Sequence, residues 1–334
     1  MATTIRDIAR RAGVCIGTVS RVINNKDKVD PATRERILKL IQRTGYRPSA
    51  LGRSLALQRS STILLSVINV SDPYCAFLLK DVSSFCRARG YSTLLGDSSY
   101  SAAIEAEYLR RCLEGGADGA IVSPLPGNEN ISLFERVASS GFPLVLIDNP
   151  VPGLAANCVK YDDAAGARIA VEHLLGKGHR QIALCGWRMN FQTVRDRYTG
   201  YAQACRKAGV NEVLVTAPDG PGEWDPSAQL SELLRKPAAP SAILAENEMM
   251  AVTCIHALHR IGRRVPEDVA VVSFGEAATY PLAPIPLTTV MLHRQQAAQQ
   301  AVHMLLDLIE QPKRRRAQPQ TIVLTPELIV RESG

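Results

Sequence analysis

Residues 4–23 read TIRDIARRAGVCIGTVSRVI and contain two helix signals separated by a glycine. Thr4 and the acid three residues later have the spacing of a capping box, in which both side chains bond the free amides of a helix start. Apolar residues then recur on one face, which predicts a first helix over about 5–11. Gly13 should end that helix, and the next apolar stripe predicts a second helix over 16–23. Two short helices joined by a tight glycine turn form a helix-turn-helix.

The second helix of such a motif is the element that enters the major groove of DNA. Its outward residues should therefore face base edges and phosphates: Ile16, Gly17, Thr18, Ser20 and Arg21. Arginine can bond guanine O6 and N7 together, and isoleucine can contact a thymine methyl group. The alternative is that these residues form an ordinary solvated helix face.

The first 60 residues form a small basic unit in a chain of 334 residues. A third helix should begin at Asp30 and Pro31, because aspartate caps a helix start and proline fits the first turn, and Gly45 should end it. Residues 1–60 hold 13 Lys/Arg and 4 Asp/Glu, whereas the rest of the chain is slightly acidic. A basic head on a neutral body is typical of nucleic-acid-binding proteins, so it favours DNA reading over a plain solvated face.

Several classes of protein are excluded by what the sequence does not contain. The eight cysteines are scattered, without a Cys-x-x-Cys pair or histidines at zinc spacing, which predicts reduced thiols and no metal site. No apolar leader and no run of about 18 apolar residues occur, so neither export nor membrane insertion is expected and the protein should be cytoplasmic. No nucleotide-binding glycine motif, Walker loop, nucleophile elbow or metalloprotease motif is found. We therefore expect no enzymatic activity and no cofactor.

From Thr62 onward, apolar runs alternate with amphipathic helices. A first series has four predicted strands between residues 63 and 147, and a second series, which begins near Cys158, has four between residues 181 and 273. Alternation of this kind implies parallel sheets with right-handed crossovers. Two such series in tandem predict two similar α/β lobes with a cleft between them.

Five blocks in the first 60 residues resemble the head of the lactose-repressor (LacI/GalR) family of bacterial transcription regulators: Thr4–Ala9, Ala12–Val14, Thr18–Asn24, Thr33–Ile37 and Gly45–Ser49. Further blocks resemble the family's body, which is similar to periplasmic sugar-binding proteins: Val67–Tyr74, Gly116–Gly119, His173–Leu174, Gly178–His179, Gly200–Tyr201, Asn247, Arg264–Val269, Pro286–Val290 and Leu328–Ser333. The resemblance covers essentially the whole chain.

The fold that this resemblance implies is an all-α helix-turn-helix head followed by a body of two parallel-sheet lobes. The expected parts are a head over 1–47, a hinge helix and linker over 48–61, an N-terminal lobe over 62–158 plus 291–319, and a C-terminal lobe over 159–290 plus 320–334. In the family the hinge becomes helical only when two subunits meet on DNA.

The resemblance also implies further DNA contacts: Thr4, Cys15, Asn24, Arg34, Tyr46, Ser49 and Leu55. Leu55 would wedge into the minor groove at the centre of the operator, and the alternative is a plain linker with Leu55 packed on the body. Gly52 replaces the usual alanine of the hinge, which should cost about 1 kcal/mol of helix stability. Cys15 replaces a capping serine, so the second helix should be capped more weakly. Release of DNA by oxidation of Cys15 is the less favoured alternative.

In sugar-responsive members a small-molecule effector lies between the lobes. Matching block by block gives the expected contacts: Tyr74, Thr193, Arg197, Trp224, Asn247 and Glu276. The alternatives are that the two aromatic residues belong to the core, and that Arg197 forms a structural ion pair with Asp196 or Asp225.

Gly275 departs from the aspartate that many family members carry at its position. Without that partner for Arg197, we expect a cleft of net positive charge and therefore a sugar acid or sugar phosphate as effector. If Glu246, Glu248 or Glu276 replaces the missing acid, a neutral sugar is expected instead.

The predicted function is that of a homodimeric repressor of a carbohydrate-related operon, released from a palindromic operator DNA when the effector binds. A regulator of the opposite sign, whose corepressor tightens DNA binding, is an open alternative. A transport-type sugar-binding protein is disfavoured, because it would need an export signal and no basic head.

Overall fold

The computed structural model describes residues 3–23, 28–46, 59–187, 191–217, 224–276, 283–311 and 318–334. The chain divides into two compact units, Met1–Ser61 and Thr62–Gly334. Four residues discussed above lie outside the described ranges: Asn24, Ser49, Gly52 and Leu55.

The first unit contains the three predicted helices, which are confirmed as α1 (Ile5–Ala12), α2 (Ile16–Ile23) and α3 (Pro31–Thr44). The expected capping box closes the start of α1, and Gly13 ends it in the left-handed conformation at φ 65°. Glycine is suited to this position because it has no β-carbon to clash. The inward faces of the three helices form a small core: Ile8, Ala9, Ala12, Val19, Val22 and Ile37.

The second unit alternates strands with helices, as predicted. Its strands in the described ranges are β1 (Thr62–Val67), β2 (Ser92–Asp97), β3 (Gly119–Val122), β4 (Leu144–Ile147), β5 (Asn157–Tyr161), β6 (Ile182–Gly186), β7 (Val213–Thr216), β8 (Ala242–Ala245), β9 (Ala270–Phe274), β10 (Thr288–Met291), β11 (Thr321–Leu324) and β12 (Glu327–Ile329). Its helices in the same ranges are α4 (Pro73–Ala88), α5 (Ala102–Leu113), α6 (Ile131–Ser139), α7 (Asp163–Gly176), α8 (Gln192–Ala208), α9 (Ser227–Leu233), α10 (Glu248–Arg260) and α11 (Arg294–Glu310).

The strands form two sheets of six. The first sheet has the order β11-β5-β4-β3-β1-β2 and the second β12-β10-β9-β8-β6-β7. All neighbouring strands are parallel except β12, which runs antiparallel to β10. The central strands are buried along their whole length because helices cover both faces of a parallel sheet, which explains their continuous apolar runs.

The chain crosses between the sheets three times, and two of the expected boundaries need correction. β5 stays in the first sheet as far as Tyr161, whereas the first lobe was expected to end at residue 158. β11 also belongs to the first sheet, with Thr321 paired to Cys158, although 320–334 was assigned to the second lobe. An apolar run identifies a strand, but only the pairing partner decides which sheet it joins.

Helices α7 and α8 pack closely because Gly200 lies at their contact. A β-carbon at this position would overlap the carbonyl oxygen of Ala164. Within the ranges that the structure describes, no helix is both long enough and apolar enough to cross a membrane.

Candidate functional site

The candidate DNA-reading surface is the outer side of α2. Val19 and Val22 point into the core of the first unit, which leaves the opposite side of the helix accessible. That side carries the residues predicted to read DNA, of which Ile16, Gly17 and Arg21 are exposed and Thr18 and Ser20 are half-buried. Ile16 keeps 43% of its surface exposed, so its apolar side chain is accessible to a thymine methyl group.

Gly17 is open to substitution, because a β-carbon there would meet only the Cys15 sulfur at 3.8 Å. Cys15 itself is exposed directly before α2, and its Sγ lies 3.2 Å from Oγ1 of Thr18. Hydrogen bonding to the side chain and the backbone of Thr18 lowers the pKa of the Cys15 thiol. The thiol therefore interacts with the first turn of α2, where serine stands in the family pattern.

Three further residues predicted to contact DNA, Thr4, Arg34 and Tyr46, differ in their exposure and in their contacts within the first unit. The Thr4 hydroxyl donates to Asp7 at 2.7 Å within the capping box, and Thr4 is exposed. Arg34 is half-buried on the first turn of α3. Tyr46 is half-buried and packs against the core of the unit, so its ring has a structural role.

The candidate ligand site is a cavity in the second unit, at the carboxyl ends of the parallel strands of both sheets. Ligands of parallel α/β sheets bind at this edge because the loops that follow the strands converge there. The lining includes residues that follow strands of each sheet: Ile68, Ser123, Asp148, Trp187, Glu246 and Gly275. The cavity measures about 150 Å³. This is well above the roughly 10–15 Å³ that a cavity needs to hold one water molecule, so the cavity has room for a small organic ligand.

Four of the six residues predicted to bind the effector line this cavity: Tyr74, Thr193, Arg197 and Asn247. The structure places the other two elsewhere. Trp224 lines a neighbouring groove with Asp225 and Arg260 and packs against the core of the second lobe. Glu276 accepts a hydrogen bond from the backbone amide of Arg294, whose guanidinium lies 3.6 Å from the same carboxylate.

Arg197 is held by the protein itself. Its Nε lies 2.8 Å from Oδ1 of Asp163, and its Nη1 donates to the Glu246 carbonyl oxygen at 2.6 Å. The guanidinium also lies over the Phe274 ring, 4.3 Å from its centre. Its ion-pair partner is therefore neither Asp196, which pairs with Lys160, nor Asp225, which pairs with Arg260.

The cavity wall is rich in carboxyl groups, which overturns the expectation of a positively charged cleft. Four acids line it: Asp72, Asp148, Glu246 and Glu248. Among the described lining residues, Arg197 carries the one formal positive charge. Burial raises the pKa of Asp148, Glu246 and Glu248 to about 7 each, and burial also raises the pKa of Asp72.

The missing acid at Gly275 is replaced from another element. A β-carbon at Gly275 would overlap the carboxyl group of Glu248, which therefore occupies the space of a side chain at position 275. Gly186 makes room for the Glu246 carboxylate in the same way. Both glutamates are among the replacements that the sequence predicts, but only the fold shows that Glu248 fills this place.

Asp72 and Asp148 were not anticipated as site residues. Asp72 precedes Pro73 as the cap of α4, and its carboxylate accepts from the amide of Tyr74 at 2.8 Å. Asp148 follows the buried strand β4 in the left-handed conformation at φ 67°. It accepts hydrogen bonds from the hydroxyls of Tyr74 and Ser123. An acid directly after a fully buried strand was the available signal for Asp148, because that is where parallel sheets bind ligands.

Comparison with known proteins agrees with both units. Residues 4–49 match the family model described as bacterial regulatory proteins, lacI family, and residues 171–334 match a periplasmic binding protein-like domain. The regulator DegA of Bacillus subtilis is 31% identical, with 100% of this chain and 98% of DegA covered. The repressor PurR of Haemophilus influenzae is also 31% identical, with 99% and 98% covered.

Solved structures show the same architecture. A complex of the transcriptional regulator CelR with cellobiose is 28% identical, with a TM-score of 0.71 and coverage of 99% of this chain and 100% of CelR. A lac repressor dimer bound to operator and an anti-inducer has a TM-score of 0.85 at 24% identity, with 100% and 99% covered, and this likeness concerns the fold alone. The chain therefore belongs to the LacI family of bacterial regulatory proteins and is a DNA-binding transcriptional regulator.

Proposed function

We propose that this regulator is a homodimeric repressor of a carbohydrate-related operon, and that a sugar-sized ligand in the cavity releases it from a palindromic operator. The single observation that carries the proposal is the cavity at the strand ends of both sheets, lined by aromatic rings and hydrogen-bonding groups. The relatives support it, because CelR is found with cellobiose and the lac repressor is found as a dimer on its operator.

Release by ligand requires that the ligand bind one arrangement of the two lobes better than another. The cavity draws its walls from both sheets, so a ligand that contacts both walls favours one relative position of the lobes. The alternative is a corepressor, a ligand that tightens DNA binding; it would act through the same coupling between the ligand site and the DNA site. DNA-binding measurements with and without ligand separate the two.

On the DNA side, we propose that α2 reads the major groove through Ile16, Gly17 and Arg21, with Thr18 and Ser20 beside them. Arg21 would bond a guanine or a phosphate, and Ile16 would contact a thymine methyl group. The proposed set also includes Thr4, Cys15, Asn24, Arg34, Tyr46, Ser49 and Leu55, which follow from the family resemblance.

The first experiment selects binding sites for the full-length protein from a random DNA library. Recovered sites should be two-fold symmetric, because a symmetric dimer presents two equivalent reading helices. Arg21→Ala should weaken binding to the selected site by roughly 10- to 100-fold. Arg110→Ala, which removes an exposed arginine from α5 of the second unit, is the matched control and should leave binding unchanged. Asymmetric sites, or equal effects of both variants, would contradict the proposal.

The second experiment screens neutral sugars, sugar acids and sugar phosphates by thermal shift, and hits are retested for release from the selected DNA. The four carboxyl groups of the cavity disfavour acidic ligands, so neutral members should shift the transition and phosphorylated members should not. A strong shift by a sugar phosphate alone would contradict this assignment.

A further inference from the structure

We infer that the ligand of this cavity carries a protonated amine on a hydroxylated frame of sugar size. The inference rests on the proposed function in one respect, namely that the cavity is the ligand site. It deepens the assignment by naming the charge of the ligand.

The first observation is the charge of the cavity wall. Asp72, Asp148, Glu246 and Glu248 face one cavity, and none of them forms an ion pair within 4.0 Å of a cationic group in the described ranges. The charge of Arg197 lowers the pKa of each of the four acids, but one guanidinium, whose Nε is already paired with Asp163, cannot balance four carboxyl groups. Burying several carboxylates without counter-charges is costly, and an anionic ligand would add to the repulsion. A cationic ligand would remove the cost.

The second observation is that the fold holds two of these carboxyl groups in place. Glu246 is only 6% exposed, and its Oε2 accepts from the backbone amide of Trp187 at 2.7 Å. Glu248 accepts from the backbone amide of Glu276. Gly186 and Gly275 leave the space that these two carboxyl groups occupy. The acids are therefore fixed parts of the wall, unlike solvated surface residues.

The third observation is the aromatic lining. Tyr74, Tyr100, Trp187 and Phe191 contribute to the same cavity. Aromatic ring faces attract cations through their quadrupole, and aromatic boxes with acids recognise ammonium groups. Within this wall, Phe274 already takes one cation on its face, the guanidinium of Arg197. Rings and carboxylates together suit an amine, whereas a neutral sugar would use the rings and hydrogen bonds but leave the charges unmatched.

The pKa values of the buried acids agree with a cationic ligand. Burial raises the pKa of Glu246 and Glu248 to about 7, so both are partly protonated near neutral pH before a ligand arrives. A cation would lower those pKa values and release protons on binding. Amine binding should therefore strengthen as the pH rises from about 5.5 to 7.

The test uses calorimetry on the full-length protein with pairs of sugars that differ only by an ammonium in place of a hydroxyl group: glucosamine with glucose, galactosamine with galactose, and mannosamine with mannose. In at least one pair the amine should bind roughly 10-fold or more tightly than its partner at pH 6.5, and it should release the protein from its selected DNA. If no amine binds more tightly than its hydroxyl counterpart, the inference is overturned.

Isosteric variants locate the effect. Glu246→Gln and Glu248→Gln should each reduce amine affinity by roughly 10-fold more than they reduce the affinity of the hydroxyl partner. Glu135→Gln, an exposed residue of α6, is the matched control and should change neither. Equal loss for both members of a pair would show a general hydrogen-bonding role and overturn the charge assignment. Thermal melts check that each variant is folded.

Failure of this inference is distinguishable from failure of the proposed function. Symmetric, sequence-specific DNA binding without any preference for amines overturns the amine alone. Absence of sequence-specific DNA binding by the unmodified protein overturns the proposed repressor.

Discussion

Replacing Arg197 by methionine should destabilise the second unit by about 3–5 kcal/mol, because it leaves Asp163 as a buried charge without its partner. The residue was predicted from sequence as an effector contact, and the structure gives it three interactions with the protein itself. Methionine keeps the apolar stem and removes the charged head, so the change isolates the electrostatic part.

The magnitude follows from burial and geometry. The Asp163 side chain is 2% exposed and the Arg197 side chain 11%, so water cannot replace the lost partner. A charge-assisted hydrogen bond contributes about 1.5–3 kcal/mol, and a cation over an aromatic ring adds about 1–2 kcal/mol when desolvated. These contributions are not additive, and Asp163 can protonate to limit the cost. Together these contributions agree with the loss of about 3–5 kcal/mol expected for breaking a buried ion pair.

The assay is thermal unfolding followed by circular dichroism, supported by urea titration. At roughly 2–4 °C per kcal/mol for large domains, Arg197→Met should lower the melting temperature by roughly 10 °C. Asp163→Asn should also destabilise, and the double variant should cost at least about 2 kcal/mol less than the sum of the two single changes. Lys207→Met, which breaks an exposed ion pair with Glu172, is the control and should shift melting by no more than about 2 °C.

The pH dependence gives a second check on the same variant. Burial already raises the pKa of Asp163, and loss of Arg197 should raise it further. An acid whose pKa is raised by folding destabilises the native state increasingly as the pH rises from its unfolded value to its folded value. The penalty of Arg197→Met should therefore be larger at pH 8 than at pH 5. A loss below about 1 kcal/mol, or additive single and double variants, would refute the reasoning.

Three further predictions concern other parts of the molecule. Gly200→Ala should lower the melting temperature by roughly 10 °C or prevent folding, because the β-carbon would overlap the Ala164 carbonyl oxygen. Gly176→Ala is the control: its β-carbon would meet no atom within 4 Å, so it should be neutral or slightly stabilising in the same melts. The affinity of Cys15→Ser for selected DNA should lie within about 2-fold of that of the unmodified protein, and mild peroxide should change the two affinities equally. If peroxide weakens DNA binding by the unmodified protein but not by Cys15→Ser, Cys15 has a redox role. Because burial raises the pKa of Asp148, Glu246 and Glu248 to about 7, urea titrations between pH 4.5 and 7.5 should show stability falling as the pH rises. Glu246→Gln should reduce that fall by on the order of 3 kcal/mol, and an unchanged curve would contradict the assignment.

The head was predictable from sequence because its structure follows from local rules. The capping box at Thr4, the glycine turn at Gly13 and the aspartate cap at Asp30 each act within four residues, and all three are present in the structure. The alternating strands and helices of the body were predicted for the same reason, since hydrophobic periodicity is a local property.

The ligand cavity was predictable only in part. Arg197 and Asn247 were placed in it by family resemblance, but the expected positive charge of the wall was wrong, and Asp163 was not among the acids considered as alternative partners of Arg197. Asp163, Asp148 and Glu248 come from separate elements, and nothing in their local sequence shows that they converge. Glu276 and Trp224 were matched by position, yet the structure places both outside the cavity.

The sequence by itself determined most of the elements: the three helices of the head, eight strands of the body with the helices between them, and that a basic head precedes an α/β body. It did not predict helix α11 or the strands β5, β10, β11 and β12. Tertiary structure decided the rest, namely which sheet β11 joins, which acid pairs with Arg197 and which carboxyl group fills the space beside Gly275. The physical reason is range. Capping and periodicity act over one or two turns, whereas burial and charge pairing depend on residues that only the folded chain brings within a few ångströms.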